Sequence, residues 1–194
     1  MTGKPLPEAL RSAQAIPLER DLVASCLDPR KELDRRFARA SAQTPAALHP
    51  AERRGALAGI TGHVAESVVE IVLEGHGWSP MWHFTGPGRH GIDLLFLDPG
   101  AERLFAVEVK ATLRARRWPR LRSSELRQMG LAWLDKADNP GMVDWALSSA
   151  DVYGAVVLVN FHDSAFKAAL TGDFDAWLPI TDRRQLDDLS WATC

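Results

Sequence analysis

The sequence predicts an α/β fold in which helices flank a central mixed β-sheet. Three observations predict it. A long segment with helically spaced apolar residues is followed at once by three short strand-like segments. Further along, residues 152–161 are almost wholly apolar and rich in β-branched side chains, as expected of a strand covered on both faces. The predicted element order is α-β-β-β-α-β-α, for which helices on both sides of the sheet are the natural packing.

Composition sets broad limits on the function. The 194 residues are 46% hydrophobic and 25% charged, with a net charge of -2. This is the balance of an ordinary globular chain, and it argues against a uniformly basic surface. The two cysteines, Cys26 and Cys194, form no CxxC pair and suggest neither a zinc site nor a disulfide framework. No signal-peptide core is evident and no stretch approaches the roughly 18 apolar residues of a membrane span, so we expect a cytoplasmic protein without membrane contact.

Residues 1–50 are expected to form an amphipathic helical extension or arm, which ends in a connector containing Pro45 and Pro50. Residues 51–194 form the main domain. The first helix of that domain is predicted from Ala51 to Glu74 and is stopped by Gly75 and Gly77. Its apolar positions are Leu57, Ile60, Val64, Val68, Ile71 and Val72.

The later elements follow from strand composition and helix caps. Strands are predicted at residues 78–84, 92–97 and 104–109, with a turn at Asp98-Pro99-Gly100 between the last two. A helix capped by Ser123 or Ser124 is expected to run to about residue 136. After the strand at residues 152–161, a final helix is predicted from Asp182, which caps it, to Leu189.

The chemistry-bearing residues lie on the second and third strands. Glu108 and Lys110 are two positions apart, so their side chains point to the same side of a strand. If the turn at residues 98–100 closes a hairpin, its base brings Asp93 next to Glu108. Two carboxylates and one amine then share a small pocket.

Such a pocket suits Mg²⁺ or Mn²⁺, which prefer carboxylate oxygens and keep several waters. An ion held by Asp93 and Glu108 lowers the pKa of a water and neutralises charge on a phosphate, while Lys110 orients that water or stabilises the developing charge. Taken alone, an Asp at a strand entrance is usually a turn residue, and a Glu-x-Lys is usually a solvated pair. Their position inside apolar segments favours the functional interpretation.

These residues belong to an ordered set. Gly62-His63-Val64-Ala65-Glu66 is followed by Gly77-Trp78, Thr85-Gly86, Gly91-Ile92-Asp93 and Val107-Glu108-Val109-Lys110-Ala111-Thr112. Over roughly residues 55–161 this set resembles the PD-(D/E)XK nuclease superfamily, which has the restriction-endonuclease-like fold with an αβββαβ core. In motif spacing it is most similar to the archaeal Holliday-junction-resolvase branch. One departure is that Ile92, rather than Pro, precedes Asp93.

The resemblance implies a catalytic set of Glu66, Asp93, Glu108 and Lys110, with Glu66 holding a water or a second metal ion. Glu70 lies one turn beyond Glu66 on the same helix face and is its rival. Gln128, in the following helix, looks like the polar residue that often completes such sites. An exposed helical glutamine is the competing interpretation.

Nucleic acid is the expected partner because of a basic segment after Lys110. Residues 103–127 carry seven Arg and one Lys against two Glu, whereas residues 135–194 carry ten Asp against two Lys and two Arg. The near-neutral total therefore hides a strong separation of charge. The residues expected to contact phosphates are Arg114, Arg116, Arg117, Arg120 and Arg122, with Trp118 available for stacking on a base. A solvated loop whose Trp packs on the body of the protein is the alternative.

A glycine-rich segment, residues 86–91, precedes Asp93 and lacks the GK[ST] ending of a P-loop. We expect a substrate-facing loop with Arg89 or His90 near a phosphate. His90 as a general base is the less favoured of its two interpretations, the other being a loop histidine without a catalytic role.

The sequence therefore predicts a divalent-metal-dependent nuclease whose expected substrate is DNA, although the choice between DNA and RNA stays open. A nucleic-acid-binding module of the same fold without catalysis is one alternative. A nuclease toxin with an immunity partner is another. Whether the chain forms a homodimer, and whether residues 1–50 dock a partner protein, stay open.

Overall fold

The computed structural model describes residues 8–19, 28–32, 34, 35, 38, 50–83, 92–100, 103–121, 152–171 and 177–187. The helix expected at residues 123–136 lies outside these residues, as do Arg89, His90, Arg122 and Gln128. The described part is a mixed α/β structure built on a seven-stranded sheet. The predicted α/β class with a mixed sheet is therefore confirmed.

Ten elements are used below. The helices are α1 (Glu8–Ser12), α2 (Pro50–Gly75) and α3 (Arg184–Asp187). The strands are β1 (Ile16–Pro17), β2 (Ser79–His83), β3 (Leu94–Leu97), β4 (Leu104–Thr112), β5 (Val152–Asn160), β6 (Ala165–Thr171) and β7 (Trp177–Ile180).

The sheet joins an antiparallel meander to a parallel pair. Its order is β1-β6-β5-β4-β3-β2, and β7 also pairs with β6. Strands β2, β3 and β4 run antiparallel, β4 and β5 run parallel, and β5, β6 and β7 run antiparallel again. Because β4 and β5 are parallel, their C-terminal ends meet at the same edge of the sheet.

Helix α2 begins and ends as its sequence dictates. Pro50 occupies the first helical position, where its missing N–H costs no hydrogen bond. At the other end, Trp78 N–H donates to Leu73 O at 3.0 Å and Gly77 N–H donates to Glu74 O at 2.9 Å. Gly77 has a φ of 84°, so these bonds form a Schellman cap that requires the left-handed conformation glycine tolerates. The predicted stop at Gly77 is confirmed.

Alternation along β4 divides the sheet into two faces. Phe105, Val107 and Val109 point to the face on which α2 packs, where they join the larger hydrophobic core with Val64 and Val68. Ile71 of α2, predicted as a core position, is instead 40% exposed, and Val69 and Leu73 are buried. The predicted apolar stripe is therefore correct in most positions and displaced toward Val69 and Leu73 at its C-terminal end.

A smaller core covers part of the opposite face. Val156, Leu158 and Ala169 of the sheet pack there against Leu10 of α1 and Leu121. Glu108 and Lys110 are paired in register with Val156 and Leu158, so they point to this second face. This alternation puts the charged side chains of β4 opposite the face that α2 covers.

The N-terminal segment was expected to be helical, but it also contains a strand. Residues 16 and 17 form an edge strand, with Ile16 opposite Phe166 and Pro17 opposite Ala165. Leu10 and Leu18 are buried in the two cores. Pro17 lacks an N–H and fits only an edge strand, which is why the sequence pattern did not indicate one here.

Two C-terminal strands, β6 and β7, were also missed by the predicted element order. The sequence of β6 is Ala-Phe-Lys-Ala-Ala-Leu-Thr, and its alanines favour helix over strand. The four-residue turn that joins β5 to β6 contains Ser164 with a φ of 47°. Asp182, by contrast, caps α3 as predicted. It accepts the Gln185 N–H at 3.2 Å, and the Gln185 side chain accepts the Asp182 N–H at 3.3 Å.

One helix of the described residues, Ala51–Gly75, is long and apolar enough to cross a membrane by length and composition. The sequence expectation that no stretch approaches that length and apolarity is corrected by this helix. Of its most apolar window, 39% is buried within the protein. Val64, Ala65 and Val68 are buried in the core, and this packing accounts for much of the apolar composition.

Candidate active site

The hairpin of β3 and β4 forms as the sequence predicts. Leu94 lies opposite Val107 and Leu97 opposite Leu104. The loop end is fastened by Asp98, which is 3% exposed and accepts from Arg103 Nε at 2.8 Å. The Asp98 N–H also donates to the Arg103 carbonyl at 3.1 Å. The hairpin register therefore places residue 93, just before β3, beside residue 108 of β4.

Asp93 is fixed by a backbone hydrogen bond. Its Oδ2 accepts from the Val109 N–H at 2.7 Å, continuing the ladder one step beyond the end of β3. The Glu108 carboxyl lies within hydrogen-bonding reach of Asp93. The predicted proximity of Asp93 and Glu108 is thus observed. Strand β4 continues to Thr112, three residues beyond the predicted end, so Glu108 and Lys110 lie within the strand rather than at its end.

Lys110 completes the cluster. Its Nζ donates to Glu108 Oε1. The Glu108 side chain is 7% exposed and that of Lys110 is 30% exposed, so the pair has one buried member and one that reaches solvent. A carboxylate buried to this degree needs a cationic partner, which the ammonium group supplies.

Burial raises the pKa of Asp93 to about 6. The Val109 N–H and the Lys110 ammonium oppose that rise, whereas the negative charge of Glu66 adds to it. Burial likewise raises the pKa of Glu66, with Lys110 lowering it and Glu108 raising it. All four residues named from the sequence therefore act on one another electrostatically, and perturbed carboxyl groups of this kind are typical of functional sites.

Glu66 nevertheless stands apart from the carboxyl pair. Its carboxyl group lies near His63 on the same helix, with 3.9 Å between His63 Nδ1 and Glu66 Oε2. Among the described residues, no three His, Cys, Asp or Glu side chains converge into a ready-made metal-binding group. Between the two rival helical carboxylates, Glu66 is the one that acts on Asp93.

The arginine-rich segment that follows β4 is exposed. Arg114, Arg116, Arg117 and Arg120 are all exposed. Trp118 is only partly exposed; it packs on the smaller core, with Lys167 Nζ 5.3 Å from its ring centroid. The ring thus has a packing role and a cation on its face, and its stacking on a base stays a prediction.

Sequence reasoning missed two polar residues that contact this segment, Asn160 and Asp163. Asn160 ends β5, is fully buried and donates from Nδ2 to the carbonyl oxygens of Arg114 and Arg117. Asp163 Oδ2 accepts from the Arg116 N–H at 3.0 Å. The one available signal was a polar Asn terminating an apolar strand, and it did not reveal a partner more than 40 residues away.

No protein-family model, curated protein or solved structure matches this chain. The functional assignment therefore depends on the site itself.

Proposed function

We propose that this chain is a divalent-metal-dependent nuclease with the restriction-endonuclease-like fold, and that it hydrolyses phosphodiester bonds in DNA. The observation that carries the proposal is the cluster of Asp93, Glu108 and Lys110. The carboxyl groups of Asp93 and Glu108 lie within hydrogen-bonding reach of each other, and Lys110 Nζ donates to Glu108 and acts on Asp93 through its charge. The exposed arginines begin four residues after Lys110. The PD-(D/E)XK resemblance supports the same interpretation.

The order of elements supports the proposed fold. A long helix leads into an antiparallel meander of β2, β3 and β4, after which β5 joins β4 in parallel. This matches the αβββ…β part of the expected core, with the Asp before the second strand and the Glu-x-Lys on the third. A carboxyl-bearing helix, α2, packs on the face of the sheet opposite to Glu108 and Lys110.

The donor set fits Mg²⁺ or Mn²⁺. These ions take one or two protein carboxylates and complete their coordination with water and phosphate oxygens. Asp93 and Glu108 offer two adjacent carboxyl groups, and the negative charge that Glu66 adds favours a cation there. When bound, the ion supplies charge neutralisation at the phosphate and lowers the pKa of the attacking water.

The protein's own groups have separable roles. Asp93, held by the Val109 N–H, keeps its carboxyl in a fixed position beside Glu108. Lys110 is positively charged and its side chain reaches solvent. Its ammonium group can therefore turn toward a phosphate oxygen as negative charge develops there. Glu66, 23% exposed, is placed to accept a proton or orient a water at longer range.

The charge distribution indicates where the substrate lies. Arg114, Arg116, Arg117 and Arg120 are exposed on the segment that follows β4. Phosphates attracted to them pass the solvent-reaching end of Lys110, because the segment begins only four residues further along.

A second candidate is a nucleic-acid-binding module without catalysis. It is favoured by the lack, within the described residues, of three converging metal-binding side chains. It leaves unexplained why a buried and a half-buried carboxyl group, Glu108 and Asp93, are paired on the strand that leads into the basic segment, since their negative charge opposes phosphate binding.

The test is a cleavage assay on supercoiled, linear, single-stranded and branched DNA and on RNA, with Mg²⁺ or Mn²⁺. We expect cleavage that EDTA stops and that Asp93→Asn, Glu108→Gln and Lys110→Ala each reduce at least about 100-fold. Glu70→Gln is the matched control and keeps activity. Cleavage that survives Asp93→Asn or EDTA contradicts the mechanism, and tight binding without cleavage on every substrate supports the binding module.

A further inference from the structure

The turn that carries the arginines follows β4 and is held by two residues at the end of the neighbouring strand, β5. We call residues 113–117 the arginine turn and the pair Asn160 and Asp163 the clamp. Asn160 ends β5 at the register position of Thr112, the last residue of β4. The turn and the clamp therefore follow the C-terminal ends of the two parallel strands and meet at one edge of the sheet.

The clamp forms hydrogen bonds with the backbone of the turn. Asn160 Nδ2 donates to Arg114 O at 3.3 Å and to Arg117 O at 3.1 Å. Asp163 Oδ2 accepts from the Arg116 N–H at 3.0 Å and from Asn160 Nδ2 at 2.8 Å. The Asp163 N–H donates to Asn160 Oδ1 at 3.0 Å, which closes the network. These hydrogen bonds fix the backbone of the turn at Arg114, Arg116 and Arg117, and the positive charge of Arg116 also acts on the Asp163 carboxylate.

Asn160 has no exposed surface, and a buried amide with every partner in place specifies a single arrangement. At the ends of the strands, the Phe161 N–H also donates to Thr112 O at 3.0 Å. The Arg30 guanidinium donates to Leu113 O at 3.3 Å. The turn is therefore an ordered part of the protein.

The turn is also strained at an arginine. Arg116 has a φ of 52°, in the left-handed region that glycine or asparagine adopts more easily. A purely structural turn has no need for a long cationic side chain at such a position. Strain retained at an exposed charged residue points to use of that side chain.

We propose that Asn160 and Asp163 are positioning residues that hold the arginine turn in a preformed, phosphate-binding conformation. This inference rests on the proposed function, since it takes the nucleic-acid backbone as the partner. The clamp fixes the backbone of the turn before the substrate arrives, so that ordering the turn does not weaken binding.

Replacing Asp163 offers a test, because a positioning role and simple electrostatics predict opposite changes in the affinity for DNA. Asp163 is an anion beside cations that bind phosphate, so removing its charge alone strengthens binding. If it positions the turn, removing its acceptor oxygen weakens binding instead. Asp163→Asn separates the two effects, because an amide oxygen still accepts from Arg116 N–H and Asn160 Nδ2. The new NH₂ group then faces His162 Nδ1, which now contacts Asp163 Oδ1 at 2.9 Å.

The experiment measures binding of a fluorescein-labelled DNA duplex, and of the matching single strand, over a range of salt concentrations in EDTA. We expect Asp163→Ala to weaken binding about tenfold and to reduce the salt slope by about one, as if a phosphate contact were lost. Arg116→Ala gives the reference loss of one such contact. Asp163→Asn binds as tightly as the wild type or more tightly. Thermal unfolding of each variant verifies that it is folded at the temperature of the assay.

Three results overturn the inference. They are unchanged or tighter binding by Asp163→Ala, equally weak binding by Asp163→Asn, and failure of the wild type to bind either DNA. Binding without cleavage in Mg²⁺ or Mn²⁺ contradicts the nuclease proposal only, and the Asp163 variants then decide for or against the clamp.

Discussion

The Asp93 carboxylate accepts a hydrogen bond from the Val109 backbone N–H at 2.7 Å, so a side chain continues the β3–β4 ladder where the backbone of β3 has ended. This bond gives Asp93 a structural role beside its proposed catalytic one. It also sets the carboxyl group next to Glu108, which precedes Val109 in β4.

Replacing Asp93 by Ala and by Asn separates these two roles. Both variants lose the charge, but only Asn keeps an oxygen that accepts the Val109 N–H. Val109 is buried, so its N–H is left unpaired in Asp93→Ala, at a cost of about 1–3 kcal/mol. We expect Asp93→Ala to unfold at lower urea concentration than Asp93→Asn in EDTA, with both inactive. Equal stability of the two variants would show that the bond contributes nothing.

The stability of the metal-free protein depends on pH through Asp93. Its pKa rises from the ordinary 3.8 to about 6 on folding, so the folded state binds this proton more tightly than the unfolded state. The stabilisation from protonation is complete below about pH 3.8 and is lost as pH rises through about 6. It amounts to on the order of 3 kcal/mol, since one pKa unit corresponds to about 1.4 kcal/mol.

Asp93→Asn cannot lose this stabilisation. The free energy of unfolding of Asp93→Asn minus that of the wild type, measured by urea denaturation in EDTA, should therefore increase from pH 4 to pH 7.5. The titrations of residues that do not interact with Asp93 largely cancel in that difference. A difference that stays constant with pH would mean that Asp93 does not titrate in this range.

Glu66 and Glu70 are distinguished by their effect on Asp93. The negative charge of Glu66 raises the pKa of Asp93, and the Lys110 ammonium lowers it. We expect Glu66→Gln to lower the pKa of Asp93 and Lys110→Met to raise it, as measured from the carboxyl ¹³C shift in EDTA. Glu70→Gln is the control and leaves that pKa in place. A larger response to Glu70→Gln than to Glu66→Gln would reverse the assignment of the helical carboxylate.

The hairpin and its charged residues could be predicted because the relations are local. Side chains alternate along a strand, and a short turn at residues 98–100 permits few pairing registers. Most of those registers bring Asp93 close to Glu108. The end of α2 was predictable for the same reason, since Gly77 supplies the conformation that its cap requires. In both cases the determining residues lie within about 20 positions of each other.

The parts that could not be predicted depend on distant partners. Pro17 in β1 and the alanines of β6 oppose strand formation locally, and only pairing with the rest of the sheet makes these segments strands. Asn160 holds a turn that precedes it by more than 40 residues. Such a contact follows from the parallel pairing of β4 and β5, which no short pattern indicates.

Metal binding should stabilise the folded protein, because Asp93 and Glu108 are adjacent only when the hairpin is formed. At a Mg²⁺ or Mn²⁺ concentration ten times the dissociation constant, the gain is about 1.4 kcal/mol, or about 3–6 °C in the unfolding temperature for a chain of this length. The gain should be larger at pH 8 than at pH 5, since the ion competes with the proton that Asp93 binds with a pKa of about 6. Asp93→Asn and Glu108→Gln should abolish it, and Glu70→Gln should retain it. Equal stabilisation of the wild type and Asp93→Asn, measured by differential scanning calorimetry with EDTA as the reference, would place the ion elsewhere and remove the basis for a metal-dependent mechanism at this site.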